Sequence, residues 1–351
     1  MKRHGHLFEQ IISKENLSFA FDRAAKGKTR RRIIRKAKAR KEQLVEALHC
    51  ALRDGTYRVS PYATRIIREP KQRIIHILPF YPDRIVQHAI MAVLEPVWDS
   101  YMVPQSFSCR VGMGQHKASA LAKRYVRQYR YVLQCDISKF YHSLDHHYLM
   151  AVIERTIKDP RLLALLREIV MSYPDPRGCP IGSLLSQWFG NLYLTGLDRM
   201  VLRNKLASGY VRYCDDFLLF SNDKQALWTA GLCVTKWCGD AHLGLSKMIL
   251  RRTTQGIDFL GYRHFPDGYI LLRKRTVVRI KRRVTRIWRA LTDGRIKSLD
   301  HVQGQLASAW GWMKHADCHH LITSLHLSEL RGIIKNLKIL ETRDERLSVS
   351  A

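Results

Sequence analysis

Three aspartates carry the chemistry this chain is equipped for. Asp136 closes an apolar run, Tyr131-Val132-Leu133-Gln134-Cys135, that reads as a strand. Asp215 and Asp216 lie between Val211-Arg212-Tyr213 and Phe217-Leu218-Leu219-Phe220. That pattern predicts a β-hairpin over 209–222 with both acids at its tip. Carboxylates converging from separate strands suit hard divalent cations, which take oxygen ligands. A pair of such cations serves phosphoryl transfer, one activating the attacking hydroxyl and the other holding the triphosphate and the leaving oxygen. A Tyr-x-Asp-Asp tetrapeptide by itself fits a polar hairpin turn equally well, so its surroundings decide.

The elements that must position these acids alternate between helix and strand. To about residue 57 the pattern is helical and basic. Ten of the sixteen residues 26–41 are Lys or Arg and none is acidic, which favours phosphate contact over a merely solvated face. Ile74-Ile75-His76-Ile77-Leu78 is a β-rich run. A basic helix is expected over 116–130 before the strand of Asp136, and two helices at about 145–157 and 160–172 after it. A Gly/Pro turn at Gly178-Cys179-Pro180 precedes a long helix from 183 to about 205, and a strand pair surrounds Asp267-Gly268. Beyond Arg273 the chain reads as helical and basic, ending in a polar tail.

Composition narrows the partners. Sixty Lys and Arg against thirty Asp and Glu give a net charge of +30, and a folded chain so charged calls for a polyanion, nucleic acid before an anionic membrane. No apolar run approaches the roughly 20 residues that span a bilayer. The sequence Met1-Lys2-Arg3-His4-Gly5-His6 has no apolar signal-peptide stretch, so a cytoplasmic protein is expected. Eight cysteines, none in a C-x-x-C pair, read as free thiols in a reducing compartment. Cys318-His319-His320 cannot easily close one tetrahedral metal site with three adjacent ligands.

The order of the motifs is more specific than any one of them. Asp136-Ile137-Ser138-Lys139-Phe140-Tyr141 comes first, then Pro180-Ile181-Gly182-Ser183-Leu184-Leu185-Ser186-Gln187, then Tyr213-Cys214-Asp215-Asp216. Leu243-Gly244-Leu245-Ser246-Lys247 and Phe259-Leu260-Gly261-Tyr262 follow. This series resembles the palm motifs of reverse transcriptases, and Pro70-Lys71-Gln72-Arg73 through Gln87 resembles their fingers motifs. The likeness covers about 58–340. It implies an α+β, right-handed polymerase fold with fingers, a palm of antiparallel sheet plus helices, and a helical thumb. The implied division is a basic N-terminal helical segment (1–57), fingers and palm (58–272), a basic helical thumb (273–342) and a flexible tail (343–351).

By the same resemblance, Asp136 and Asp215 hold two Mg²⁺ ions, joined by the Ile137 carbonyl and by Asp216 as support or ligand. Tyr141 matches the aromatic gate beneath the sugar; its plain alternative is a core tyrosine. Arg73 and Lys71 match the residues that clamp the incoming deoxynucleoside triphosphate. Lys247 matches the proton donor to pyrophosphate, or is a solvated lysine. Ile181, Gly182 and Gln187 would line the nucleotide site, and Phe259, Leu260 and Gly261 would form the primer grip. Arg30, Arg31, Arg32, Arg275, Lys281 and Arg282 are the residues expected on the nucleic-acid backbone, of template RNA and cDNA.

Most reverse transcriptases carry Gln before this glycine and Ser-Pro after it, where this chain has Ile181 and Gln187. That pattern resembles the reverse transcriptases of diversity-generating retroelements, whose cDNA carries errors opposite template adenine and replaces part of a variable gene. Their usual partner is a pentameric accessory variability determinant. The stretch Ala309-Trp310-Gly311-Trp312-Met313-Lys314-His315 fits the same subfamily, and the resemblance leaves no room after the thumb for an RNase H, maturase or endonuclease domain. Cys214, where Met is more usual, and Gly190, where Ala is frequent, depart from it. A group II intron-like or phage-defence reverse transcriptase is the alternative, and a non-catalytic RNA-binding scaffold is another.

Overall fold

The computed structural model describes residues 3–68, 72–296 and 298–349, excepting the side chains of 342–349. Four helices open the chain: α1 (Phe8–Ile12), α2 (Lys14–Ala25), α3 (Arg32–Ala39) and α4 (Lys41–Arg53). α2 starts where Ser13 accepts from the Asn16 amide, and its buried Leu17, Ala20, Phe21 and Ala24 recur at helical spacing. An antiparallel ribbon of β1 (Ala63–Ile67) and β2 (Arg73–Ile77) follows, then α5 (Ile85–Tyr101) and α6 (Gln115–Gln128). The middle of the chain holds β3 (Tyr131–Ile137), α7 (Phe140–Ser143), α8 (His146–Glu154), α9 (Pro160–Met171) and α10 (Leu184–Arg203). Next come β4 (Gly209–Tyr213), β5 (Asp216–Ser221), α11 (Lys224–Asp240) and β6 (Leu245–Arg252). The rest comprises β7 (Ile257–Phe259), β8 (Tyr262–His264), β9 (Ile270–Leu272), α12 (Lys274–Thr292), α13 (Leu299–Met313), α14 (His319–Ser324) and α15 (Leu327–Val349).

The chain divides into two compact units. The first comprises residues 1–114, 133–219 and 224–250. Its N-terminal helices are fastened to a much later segment. Asp159 caps α9 at the Leu162 amide, with Pro160 in the first helical position. Its other oxygen accepts from the amides of Leu7 and Phe8 at 2.9 and 3.0 Å. His4 exchanges backbone bonds of 2.8 Å with Thr156 and Lys158. α10 is buried on nearly all sides, by Leu185, Trp188, Phe189, Leu192, Tyr193 and Leu197, as befits a helix threaded through a core. A four-stranded sheet in the order β4-β5-β3-β6 sets β3 beside the β4–β5 hairpin.

The second unit comprises residues 115–132, 220–223 and 251–351. The antiparallel sheet β7-β8-β9 and α12 to α15 share a core that includes Tyr262, Ile280, Val284, Leu306, Met313 and Leu330. α12 buries Thr276, Ile280, Val284 and Ile287 along one stripe and exposes Arg275, Arg279, Lys281, Arg282, Arg286 and Arg289. α15 continues through Val349, so the segment expected as a tail from 343 is helical up to that residue. Among the described residues no helix is long and apolar enough to cross a membrane. All eight cysteines are free thiols.

Candidate active site

Asp215 and Asp136 come together as the motif order requires, whereas Asp216, expected at the hairpin tip, is the first residue of β5 and the turn is Cys214-Asp215. Asp136 is the penultimate residue of β3, and the amide of Ile137 donates to the Asp215 carbonyl at 3.3 Å, tying the two strands at the level of the acids. Ser246 of β6 donates to Asp136 Oδ2 at 2.7 Å, so one carboxylate oxygen is held from the far side. Burial, then the negative charge of Asp136, raises the Asp215 pKa, and the Arg73 guanidinium draws it the other way. Asp136 and Asp215 are therefore electrostatic neighbours, and Arg73 of β2 lies within electrostatic reach of Asp215. The Cys135 thiol is pushed up to about 12 by burial, then by Cys238 and Asp216, against the pull of Lys247. Asp216 and Lys247 thus flank the strand that carries Asp136.

This donor set fits a magnesium-type cation. Among the described residues no group of three or more His, Cys, Asp or Glu gathers into a metal cage. Mg²⁺ is characteristically bound by one or two carboxylates and completes its shell with water and substrate phosphates. Asp136, Asp215 and a neighbouring backbone carbonyl supply that pattern. A buried Asp215 whose proton affinity is raised by burial and by the charge of Asp136 is an arrangement a cation relieves.

Tyr141, in α7, stands beside the hairpin. Its hydroxyl lies 3.3 Å from the Cys214 sulfur, and burial drives its pKa well above the ordinary phenol value. Cys214 is in the left-handed region at φ 59°, and its thiol is raised to about 12 by burial and by Asp215. Gly190 of α10 explains how the ring sits so close to that helix. A Cβ there would come within 2.9 Å of Phe140 Cε1 and 3.4 Å of Tyr141 Cε1. Gly190 and Cys214 therefore both bear on Tyr141, the one by leaving room beside its ring and the other by contact with its hydroxyl.

The start of α10 faces the fingers ribbon. Gly182 has φ 104°, and a Cβ on it would meet the Ile75 side chain at 3.0 Å, so glycine is required on both counts. Gln87 of α5 accepts from the Ser183 hydroxyl at 3.1 Å and the Leu184 amide at 3.2 Å, capping the helix from outside. Gly182 and Gln187 line a cavity of about 460 Å³ together with Lys28, Arg31, Arg84 and Gln87. Ile181 is half-buried just before the helix and Gln187 is exposed. Lys71 lies outside the described residues.

Beneath the hairpin is a polar cluster that the sequence reading missed. Arg212 is fully buried and grips Asp198 of α10 through Nε (2.7 Å) and Nη2 (2.6 Å). Its Nη1 donates to Asn191 Oδ1 at 3.2 Å and to the Cys214 carbonyl at 3.0 Å. Tyr210 donates to Asp198 Oδ1 at 2.6 Å, and Asn191 Nδ2 donates to the Ser108 carbonyl at 2.6 Å. The only advance signal was an arginine within an apolar strand. Ser246 and Gln87 also position the site, although nothing in their local sequence sets them apart from other polar residues of their motifs.

The expected primer-grip residues belong to the second unit. Leu260 and Gly261 form the two-residue turn between β7 and β8, with φ 49° and 85°. Trp312 closes over it: a Cβ on Gly261 would fall 2.5 Å from the indole. Arg275, Lys281 and Arg282 lie on the exposed face of α12. In the first unit, Arg30, Arg31 and Arg32 are exposed in and before α3.

Known proteins bear on this geometry. The family profile of reverse transcriptase (RNA-dependent DNA polymerase) matches residues 68–264. The Group II intron-encoded protein LtrA of Lactococcus lactis subsp. cremoris is 26% identical over 175 residues, 47% of this chain and 29% of that protein. Protein YkfC of Escherichia coli (strain K12) is 27% identical over 244 residues, 57% of this chain and 62% of its own. The chain thus spans less than two thirds of either relative. A telomerase structure from Candida albicans, in complex with a fragment of telomeric RNA, aligns with a TM-score of 0.46 and 14% identity over 80% of this chain and 61% of that one. The profile match takes in more than half of the chain, with Asp136, Asp215, Asp216 and Lys247 all inside it, and on that ground the chain belongs to the reverse transcriptase family.

Proposed function

We propose that this chain copies an RNA template into DNA with two Mg²⁺ ions at Asp136 and Asp215. The observation that carries the reading is the approach of Asp136, near the end of β3, to Asp215 in the β4–β5 turn, with Ser246 holding the first, the Ile137 amide tying the backbone of the second, and Arg73 acting on Asp215. A bound cation there supplies charge to the triphosphate oxygens and acidifies the attacking hydroxyl. The chain's own residues do the remaining work. Arg73, with Lys71, forks the triphosphate. Tyr141 bounds the sugar, Asp216 supports the hairpin, and Lys247 gives a proton to departing pyrophosphate. Phe259, Leu260 and Gly261 steady the primer, while Arg30 to Arg32 and Arg275, Lys281 and Arg282 track phosphates. In primer extension with Mg²⁺, Asp215→Asn is expected to lower synthesis by about a hundredfold or more. RNA binding should stay within a few-fold. Extension by the purified variant at the wild-type rate removes Asp215 from the centre.

Within the family we assign the chain to the adenine-mutagenic, diversity-generating type, acting in the cytoplasm with a pentameric accessory protein. Ile181 and Gln187 support this reading. Isoleucine offers no donor or acceptor where glutamine would contact the incoming nucleotide. One lost hydrogen bond is worth about 1 kcal/mol, too little for gross infidelity, so Gln187 and the start of α10 are expected to act with it. Sequencing cDNA from wild type and Ile181→Gln on one template is the test, with errors opposite adenine expected to fall most. An unchanged adenine error rate favours the second reading, a group II intron-like enzyme, which the likeness to LtrA supports.

A further inference from the structure

We propose that Arg212 is a positioning residue for the metal-binding hairpin, and that Asp198 and Asn191 of α10 exist to aim it. The inference deepens the polymerase reading and rests on it. A guanidinium has five donors in a fixed plane, and here four bonds run from it to three partners. Two bonds go to both oxygens of Asp198, which fixes the plane and cancels the charge. Nη1 is left for Asn191 and for the carbonyl of Cys214, the residue immediately before Asp215. Cys214 holds a left-handed backbone at φ 59°, a conformation that a non-glycine residue adopts under constraint. The Arg212 backbone is fastened as well, its amide to Gln105 and its carbonyl to Phe107 at 2.9 and 3.0 Å. Asn191 is in turn locked by its bond to the Ser108 carbonyl. The turn carrying Asp215 is therefore bolted from below to α10, with no atom of the bolt exposed at Arg212 or Asp198.

Stability alone is a poor reason for such an arrangement. A buried ion pair loses hydration that its attraction barely returns, and apolar residues of similar volume are often as stable. What apolar residues cannot do is hold a carbonyl in one direction. Residues that orient metal ligands from behind commonly govern metal affinity, and here the oriented ligand sits one peptide bond from the bolt.

The experiment uses the full chain with primer–template and a non-reactive deoxynucleotide analogue, reading Mn²⁺ binding by the loss of free-ion EPR signal. Arg212→Lys keeps the charge facing Asp198 but cannot make the two-oxygen grip and reach Cys214 together. Its Mn²⁺ affinity is expected to fall by about tenfold or more, with the Mg²⁺ concentration for half-maximal extension rising in parallel and RNA affinity unchanged. Asn191→Ala, which leaves the ion pair whole, is expected to move both in the same direction by a smaller factor, and it carries the test if the lysine variant does not fold. Folded variants with wild-type Mn²⁺ affinity overturn the assignment, whatever their activity. Wild-type protein that neither binds Mn²⁺ in this complex nor extends a primer overturns the polymerase reading instead, and the assignment with it.

Discussion

Asp215 pays for its role in proton affinity. Burial and Asp136 raise its pKa, so between its ordinary and its raised value the folded chain binds a proton that the unfolded chain has released. Without divalent cation, that contribution to stability is present at low pH and lost as the pH rises through the raised value. Asp215→Asn removes the repulsion, so at neutral pH without metal the variant should melt no lower than wild type, even though with Mg²⁺ its synthesis falls by about a hundredfold or more. A clear fall in its melting temperature would show that Asp215 supports the fold. At Tyr141, removal of the ring is expected to admit ribonucleotides and to leave deoxynucleotide use largely intact, read by competing the two sugars on one template. Gly190→Ala presses a methyl against Phe140 and Tyr141 and should destabilise by about 1–3 kcal/mol, read by denaturant unfolding. The acids could be located in sequence because local pattern carries them, an apolar run ending in Asp and a polar tip between two apolar strands, whereas Tyr141 was reached only through the resemblance of its motif. Arg212 was not legible in sequence, because its partners Asn191 and Asp198 stand on a mostly apolar helix far from it in sequence, and only the fold brings them beneath the strand.

At the level of elements, the long helix, the hairpin and the sheet around Asp267-Gly268 lie where periodicity and turn residues put them. β6 escaped notice because Leu245–Arg252 is half exposed and carries Lys247, Arg251 and Arg252, which blur its alternation. The β7–β8 turn shows how one position can serve two demands. Gly261 needs φ 85° and also gives Trp312 its seat. Gly261→Ala is therefore expected to cost about 2 kcal/mol or more, and to weaken extension more than RNA binding if the turn steadies the primer. A variant as stable as wild type would mean that Trp312 moves aside freely.

Over the whole molecule, charge dominates. With +30 and exposed arginines in α3 and α12, RNA affinity should fall steeply with salt. Neutralising Arg30, Arg31 and Arg32 together should flatten the log–log slope by about two units on single strands. An unchanged slope would turn this run toward solvent or a protein partner. Acid should act on both units. His88 and His264 are held neutral by burial and then by neighbouring cations, each lowered to about 4. The unfolded chain gains protons first as the pH drops, so stability is whole above the ordinary histidine value and is lost as pH falls toward 4. For the fully buried His264 the loss is on the order of 2–3 kcal/mol. Urea midpoints from pH 7.5 to 4.5 check this, and His264→Gln should flatten the acid limb.

The bonds from Asp159 to Leu7 and Phe8, and from His4 to Thr156 and Lys158, set a timetable for synthesis. The first helices of a nascent chain bury their apolar faces early against α5, but their anchor is not yet translated. At roughly 5–20 residues per second, on the order of 10–30 s separate the emergence of Leu7 from that of Asp159. During that interval the opening helices must remain unfinished beside a ribosome whose RNA their own cations attract. Ribosome-stalled chains of about 120 residues should therefore be cut readily near residue 7, and chains of about 190 residues should resist.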